Sequence, residues 1–375
     1  MHNNLITDPV FTVDIEGQRE CLSLPQVLEA LGKESDLEFA MLRRHQHHAW
    51  FAFLVQLAAI VCHRAKRTEA AMTAADWAEH LLRLAGGEEA WCLVVDDLAK
   101  PAFMQPPVPE GTLAVLKNSI STPDALDVLI VSRNHDVKRA TMVRARTEHW
   151  VFALVSLQTM EGVGRDNYGV SRMNGGFASR PGVASATDDD WGGRFGREVP
   201  SLLQHRRNLQ DAEWAYDFDS GISLLWTLPW DGKTSLKFSA LDPLYIEVCR
   251  RIRFGEHCVR LGGSKKTRID TTNSHGDTGD FWTPVNRESR KSLSVTATGF
   301  SYKRVSDIAF GPEWISSPAQ STDTLESSAK LVARVLAREQ GKTKGYHERI
   351  IPIPVAVRRL LGRGDGQAKL GSRSQ

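Results

Sequence analysis

The chain has 375 residues, of which 47 are Lys or Arg and 45 are Asp or Glu, so its formal net charge is only +2. This length allows about two domains with a sizeable core, and 41% hydrophobic with 25% charged residues excludes general disorder and a coiled coil. The charge is uneven, however: residues 1–100 hold 9 basic and 15 acidic side chains, whereas residues 330–375 hold 11 and 3. A basic end on a near-neutral chain indicates one surface that faces a polyanion.

Cysteine usage and the N-terminus indicate the compartment. Five cysteines are scattered without a Cys-x-x-Cys pair, which argues against a disulfide framework and a zinc ribbon. The first residues show no basic region followed by an apolar run, and the longest apolar stretch, 49–62, is too short to span a bilayer. We therefore expect a soluble protein of the cytoplasm, with no membrane partner.

The first hundred residues are predicted to be mostly helical. Two short strands, 5–13 and 20–24, flank a turn at Glu16-Gly17. Apolar residues at helical spacing then predict one helix after Ser23, a longer one that begins at Asp36, and a third over about 74–84 that stops at Gly86-Gly87.

Beyond Trp91 the pattern is mixed. Short apolar runs predict strands over 92–95, 125–131, 222–228 and 293–300, and helical spacing predicts helices over 149–160, 241–254 and 325–339. Six glycines within 162–182 predict a long exposed loop, and the Gly-, Ser- and Lys/Arg-rich residues 362–375 predict a disordered tail.

The predicted fold class is therefore α/β in the mixed α+β sense. One body covers 1–361, with a helical part over 1–100, a mixed part over 101–329 that carries the loop 162–182, and a basic part over 330–361 that includes the last helix.

A short loop offers candidate metal ligands. His275, Asp277 and Asp280 lie in the run Ser-His-Gly-Asp-Thr-Gly-Asp, and such ligands hold Mg²⁺ or Mn²⁺ in enzymes that hydrolyse phosphodiesters. Asp and Gly runs are equally typical of turns, because Asp caps backbone amides and Gly supplies positive φ. The turn is the favoured interpretation, and a metal-dependent nuclease is kept as the rival function.

A basic segment follows the strand predicted over 125–131. Five Lys or Arg residues lie within 133–146, interleaved with Asn134 and His135. This composition suits contacts to phosphates, sugars and base edges, so we expect nucleic-acid contact from Arg133, Asn134, His135, Lys138 and Arg139.

The Gly-rich loop is the most informative segment. Gly175-Gly176 offers backbone without side-chain bulk between Arg172 and Arg180, and the glycine spacing fits neither a Walker A motif nor a dinucleotide fingerprint. Such a loop can bring amides close to phosphates or enter a minor groove. The predicted DNA contacts are Arg172, Asn174, Gly175, Gly176, Phe177 and Arg180.

Around this loop, the sequence resembles the large subunit of the type I-E CRISPR Cascade complex, the CasA family. The resemblance rests on Tyr168-Gly169, Ser171-Arg172-Met173-Asn174-Gly175-Gly176-Phe177 and Arg180-Pro181, together with Asn134-His135-Asp136, Pro229-Trp230-Asp231-Gly232 and Gly279-Asp280-Phe281-Trp282-Thr283-Pro284. Further collinear blocks at 22–31, 101–105, 243–251 and 345–352 extend it over nearly the whole chain up to Leu361.

The resemblance implies a binding subunit without catalytic residues or cofactor. Such a subunit inspects double-stranded DNA for the protospacer-adjacent motif (PAM), helps to open the duplex for pairing with the guide RNA, and helps to recruit a separate helicase-nuclease. Its expected partners are crRNA, double-stranded target DNA, the other Cascade subunits and that effector. The loop at Asn134-His135-Asp136 would contact the guide's 5′ handle or the incoming DNA, and Asn174, Gly175, Gly176 and Phe177 would reach the minor groove of the PAM.

Two further family devices are placed by the same resemblance. A lysine finger that reads the PAM has Lys265, Lys266 and Arg268 as its candidates. A β-hairpin wedge that splits the duplex corresponds to 342–350, with Tyr346, His347 and Glu348 at its tip and Lys344 and Arg349 beside them; a stacking Tyr or His could hold a base step apart.

The resemblance also implies a C-terminal helical bundle, which these 375 residues are expected to lack. A naturally short member, a bundle supplied by another protein and a truncated chain are all compatible with the sequence. A purely structural subunit of the complex is a further alternative function.

Overall fold

A three-stranded antiparallel sheet begins the computed structural model, which describes residues 3–127, 144–161, 169–175, 179–186, 190–210, 213–255, 259–321, 329–339 and 342–354. Strand β1 (Phe11–Ile15) pairs on one side with β2 (Gln18–Leu22) and on the other with β3 (Leu37–Phe39). The predicted turn at Glu16-Gly17 is confirmed, and both residues have positive φ.

Three helices lie in the same part of the chain, and the third packs against the first two. Helix α1 (Leu24–Gly32) follows Ser23, and α2 (His47–Arg64) is buried at every residue from Ala49 to Cys62. Helix α3 (Ala74–Ala85) forms as predicted, because Thr73 caps its N-terminus and Gly86 ends it in the left-handed conformation (φ 76°). The helix predicted to begin at Asp36 is wrong in its first part, since β3 and a short 3₁₀ turn precede α2.

The middle of the chain alternates helices and short strands. Within the described ranges, the later helices are α4 (Pro123–Leu126), α5 (Thr147–Met160), α6 (Trp191–Asn208) and α7 (Tyr302–Phe310). Strands β4 (Asn118–Ile120), β8 (Arg251–Phe254) and β9 (Val259–Gly262) form an antiparallel sheet in the order β4-β9-β8. Two smaller sheets pair β6 (Ile222–Leu224) with β7 (Leu241–Ile246), and β10 (Val285–Asn286) with β11 (Trp314–Ile315).

The C-terminal part is a long β-hairpin. Strand β12 (Ala329–Glu339) pairs antiparallel with β13 (Lys342–Ile353) along one edge and with β5 (Gly182–Ala186) along the other. The helix predicted over 325–339 is wrong in its described part. Both faces of β12 carry buried residues, including Leu331, Val332, Ala333, Val335 and Leu336, so the strand lacks the alternation that marks a half-exposed strand.

Four other predicted elements, all before the hairpin, differ from the structure. Residues 241–254 form β7 and β8 rather than a helix, with Pro243 inside β7, where a helix interior would not tolerate it. The described residues 293–300 form no strand, and Cys92 makes only a single β-bridge with Asn4. The strand predicted over 125–131 is described only up to residue 127, and its first two residues belong to α4.

The apolar residues form two main clusters. The larger one joins the N-terminal sheet, α2, α5 and α6 around tilted and edge-to-face rings of Phe11, Phe39, Trp50, Phe152 and Trp191. The smaller one lies between the hairpin and α7. Mixed helices and sheets confirm the predicted fold class. No helix in the described ranges has both the length and the apolar character needed to cross a membrane.

Candidate nucleic-acid interface

The first arm of the Gly-rich loop is held by a buried polar cluster. Glu247, the residue after β7, accepts hydrogen bonds from the Ser171 backbone N–H (2.8 Å) and hydroxyl (3.1 Å). Arg172 stacks its guanidinium 3.9 Å from the centre of the Tyr245 ring and lies 3.4 Å from a Glu247 oxygen. Burial raises the pKa of Glu247, against the attraction of Arg172. This arm is therefore fixed to the end of β7.

The second arm is held by a buried ion pair. Arg180 donates through Nε and a terminal nitrogen to the two oxygens of Asp280, at 2.6 and 2.5 Å. Asp280 also accepts from the Thr283 hydroxyl at 2.7 Å. Burial opposes the charge of Asp280, but Arg180 prevails and holds the pKa of this carboxyl far below its usual range. A β-bridge between Glu161 and Ser179 closes the base of the loop.

These pairs correct the predicted role of the two arginines. Arg172 and Arg180 are 4% and 2% exposed, and each guanidinium is engaged by a buried carboxylate. In this structure both guanidinium groups are therefore engaged within the protein, where they hold the two arms of the loop. The loop is also less exposed than predicted, because Val170, Ser171 and Met173 are buried.

The described tip of the loop is Asn174 and Gly175, which we call the glycine tip. Asn174 is half-buried and Gly175 is exposed. Gly175 has a φ of 92°, and a Cβ at this position would meet no atom within 4 Å. The backbone therefore faces open space in a conformation that favours glycine. Gly176 and Phe177 lie outside the described residues.

A second loop, residues 273–280, packs against the glycine tip, and we call this loop the cradle. Four of its residues have positive φ: Asn273, His275, Gly276 and Gly279. A Cβ on Gly276 would lie 2.5 Å from the Met173 carbonyl carbon, 2.8 Å from the Asn174 nitrogen, and against the Ser292 hydroxyl. The contact therefore requires glycine. Sequence reasoning missed this role, although the glycine between His275 and Asp277 marked a tight turn.

The same geometry accounts for the candidate metal ligands. Asp280 is engaged by Arg180, and Asp277 pairs with Arg290 at 2.7 Å. Burial raises the pKa of Asp277, against the attraction of Arg290. Among the described residues, no group of three or more His, Cys, Asp or Glu side chains could hold a metal ion. The segment is therefore explained as a support for the neighbouring loop, and no observation favours the nuclease hypothesis.

The lysine-finger candidates separate by burial. Lys265 and Lys266 are exposed, on a loop whose backbone N–H groups donate to the Gly232 carbonyl at 2.6 and 3.2 Å. Arg268 is 4% exposed, donates to three backbone carbonyls and lies over the Trp230 ring, and burial lowers its pKa to about 10. The prediction for Arg268 is therefore corrected to a structural role, whereas the two lysines face solvent.

The hairpin places the wedge candidates away from its turn. The last residue pair before the turn is Glu339 with Lys342. Tyr346, His347 and Glu348 are predicted to form the tip of the hairpin, but they lie in the body of β13. The His347 ring packs against Gly299. Lys344 and Arg349 lie on the same strand and are exposed, and Arg349 Nε donates to a backbone carbonyl at 3.1 Å.

Glu348 ties β13 to its surroundings. Its carboxylate accepts hydrogen bonds from Arg334 of β12 (2.9 Å), from the Tyr346 hydroxyl (2.7 Å) and from Arg44 before α2. Burial opposes its charge, but these three donors lower the pKa of Glu348 to about 2. The side chain is therefore a structural link of the hairpin.

A second link joins the hairpin to the base of the Gly-rich loop. Arg338 of β12 lies 3.1 Å from the carboxylate of Glu161, and both side chains are fully buried. Burial outweighs the attraction of Arg338 and raises the pKa of Glu161 to about 8. Because Glu161 also forms the bridge to Ser179, the hairpin and the loop share one buried anchor.

The basic segment at Arg133, Asn134, His135, Lys138 and Arg139 lies outside the described residues, and its contact with nucleic acid stays a prediction.

Known structures share this fold. No family model matches the chain, and no curated protein matches it. CasA (Cse1) from Thermus thermophilus superposes with a TM-score of 0.63 at 12% identity, covering 99% of this chain and 79% of the other. The CRISPR-associated protein Cse1 from Acidimicrobium ferrooxidans gives 0.57 at 14% identity (96% and 72%), and Cse1 from Thermobifida fusca gives 0.58 at 13% (100% and 77%). The resemblance stated from the sequence is confirmed at the level of structure: the chain has the fold of the Cse1 (CasA) proteins.

Proposed function

We propose that the chain is the large subunit of a crRNA-guided CRISPR surveillance complex, a type I-E Cascade. In this role it recognises the PAM in double-stranded DNA, helps to open the duplex for guide-RNA pairing, and helps to recruit the helicase-nuclease. Its partners are the crRNA, the target DNA, the other Cascade subunits and that effector, and it acts in the cytoplasm as a binding protein and not as an enzyme.

The observation that carries the proposal is the glycine tip on a fold of the Cse1 type. Gly175 is exposed and held at positive φ, and a Cβ added there would meet no atom within 4 Å, while both arms of its loop carry buried ion pairs. A minor groove is about 6 Å wide and offers few polar edges, so a slim and rigid backbone is suited to enter it. Rigid arms also reduce the entropy lost when the tip binds.

Exposed lysines supply the electrostatic part of the proposal. Lys265 and Lys266 carry their charge on a loop braced against Gly232, and Lys233, next to that glycine, is exposed as well. Lysines on a braced loop can approach phosphates or the acceptor edges of bases without first ordering the backbone. Of the finger candidates, Lys265 and Lys266 are the ones we propose for DNA contact.

The test is Gly175→Leu, measured in the assembled complex with PAM and non-PAM duplexes. Leucine adds bulk where the tip would enter the groove, so we expect PAM-dependent affinity to fall by at least about tenfold while the subunit still assembles; one lost base-pair discrimination corresponds to about 1–3 kcal/mol. Unchanged discrimination between the two duplexes would refute the assignment of the tip.

The matched control is Gly17→Leu. Gly17 has a φ of 81° and, as at Gly175, a Cβ added there would meet no atom within 4 Å, but it lies in the β1–β2 turn. The two substitutions carry a similar backbone cost. We therefore expect both variants to lose similar stability and only Gly175→Leu to lose PAM discrimination.

A further inference from the structure

A basic cleft of about 460 Å³ lies where α2 and α6 end side by side. Its polar lining consists of His63, Lys66, Arg67, Thr68, Gln204, Arg206 and Arg207, and no carboxylate of the described residues lines it. The glycine tip, the cradle and the lysines at 265–266 are not part of this lining, so the cleft is a separate surface.

The charge of the cleft is largely uncompensated. Lys66, Arg67 and Arg207 are exposed, and within the described part of the chain none of the three forms an ion pair; Arg67 and Arg207 make only long hydrogen bonds, at 3.4 and 3.5 Å. Burial lowers the pKa of His63, and the neighbouring Arg206 lowers it further, against the attraction of Asp242.

Arg206, near the end of α6, has a buried N–H group without an acceptor. It is 5% exposed, and one terminal nitrogen donates to Asp242 and to the Phe218 carbonyl, both at 2.8 Å. Its Nε is buried without any hydrogen-bond partner. A buried N–H without an acceptor costs about 1–3 kcal/mol, and an anion bound in the cleft would supply the acceptor.

The position of the cleft favours a nucleic acid over an acidic peptide. His205, next to Arg206 on α6, lies 2.7 Å from the carbonyl of Gly279, and Leu209 packs against the same glycine. Gly279 belongs to the cradle, whose Gly276 supports the tip. The last turn of α6 therefore connects the cleft to the proposed DNA interface within a few residues.

We propose that the basic cleft binds the sugar–phosphate backbone of a nucleic-acid strand without regard to base sequence. Lys66, Arg67 and Arg207 neutralise phosphates, and Arg206 Nε donates to a phosphate oxygen. Guanidinium groups match phosphate oxygens in paired hydrogen bonds. The choice of nucleic acid as the ligand rests on the proposed function, because it uses the continuity between the cleft and the cradle.

The experiment measures binding of the purified full chain to fluorescent oligonucleotides that lack a PAM, one single-stranded and one double-stranded, by anisotropy over a range of salt concentrations. The variant is Lys66→Glu with Arg207→Glu. Its control, Lys117→Glu with Lys303→Glu, changes the net charge equally at exposed positions outside the cleft.

We expect the cleft variant to weaken binding at low salt by at least about tenfold and to reduce the slope of log K against log salt by about 1–2, since each lost phosphate contact removes roughly 0.7–0.9 from that slope. The control is expected to keep the wild-type slope. Equal losses in both variants, or no loss in the cleft variant, would overturn the proposal.

Competition with poly-glutamate decides the class of ligand. We expect it to displace the oligonucleotide much less effectively than unlabelled DNA does, and equal displacement would overturn the nucleic-acid assignment in favour of an acidic protein segment. Failure of the cleft and failure of the proposed function are distinguishable. The cleft is tested with PAM-free DNA and the chain alone, whereas the glycine tip is tested by PAM discrimination in the complex.

Discussion

Replacing Gly276 by alanine tests whether the cradle fixes the position of the glycine tip. Two costs add at this residue. Its φ of 81° is unfavourable for any residue with a Cβ, at about 1–2 kcal/mol. The new Cβ would also lie 2.5 and 2.8 Å from backbone atoms of Met173 and Asn174, as well as against Ser292, and such overpacking typically costs about 1–3 kcal/mol. We expect a loss of about 2–5 kcal/mol in the free energy of unfolding.

The assay is urea unfolding followed by tryptophan fluorescence, with Gly17→Ala as the control. Gly17 has the same φ of 81° but no atom within 4 Å of the added Cβ, so its substitution isolates the backbone cost. The excess loss in Gly276→Ala then measures the crowding. Adding Ser292→Ala should recover only part of it, because the two backbone contacts remain. Equal losses in Gly276→Ala and Gly17→Ala would refute the close contact between cradle and loop.

Two further outcomes are expected. Changing Lys265 and Lys266 to Ala should weaken PAM-duplex binding by the complex with little change in melting temperature. Arg268→Ala should instead lower the melting temperature, because it leaves buried carbonyls without their donor. The opposite pattern would contradict the roles that we assign from burial. The pKa of Glu161 is raised to about 8 in the folded chain, from an ordinary value of 4.5. Between these two values the folded chain holds a proton that the unfolded chain has lost, so the free energy of unfolding should fall as the pH rises. The expected fall between about pH 5 and pH 8 is at most about 1.4 kcal/mol per pH unit. Glu161→Gln should flatten this dependence in urea titrations, and an unchanged slope would contradict it.

The elements that the sequence predicts well are those whose signals are local. Helix α3 has its capping residue Thr73 and its terminating Gly86 within the segment itself, and the predicted helix over 149–160 matches α5 closely. Helix α2 also shows apolar residues at helical spacing. Strand β3, which precedes it, has only three residues and is therefore too short to give a recognisable strand pattern.

Strand β12 illustrates why the rest of the fold is harder to predict. Arg334 and Arg338 are four residues apart and imitate the polar stripe of a helix, while burial on both faces removes the alternation typical of a strand. What decides the structure is pairing with β13 and with the distant β5. Tertiary pairing of this kind overrides local propensity.

The site was predictable in its backbone and not in its side chains. A pair of glycines in the sequence predicts an exposed loop, and Gly175 is exposed. The contacts of Arg172 and Arg180, however, depend on carboxylates 75 and 100 residues away. An arginine that binds phosphate and an arginine that is buried in an ion pair look alike in a sequence. The three-dimensional neighbours decide between them, since a buried charge requires a partner.

The two apolar clusters differ in size, and from this difference we expect two levels of cooperativity. The cluster between the hairpin and α7 is much smaller than the one around α2, so its backbone amides should exchange through sub-global opening at a lower free energy than those of the main cluster. Strand β5, which follows the second arm of the Gly-rich loop, borders both clusters, since Val183 belongs to the smaller one and Ala184 to the larger one. The first arm is attached to β7, whose Tyr245 belongs to the larger cluster. The second arm of the loop therefore ends where the two clusters meet, and we expect sub-global opening of the smaller cluster to reach that arm before it reaches the first one.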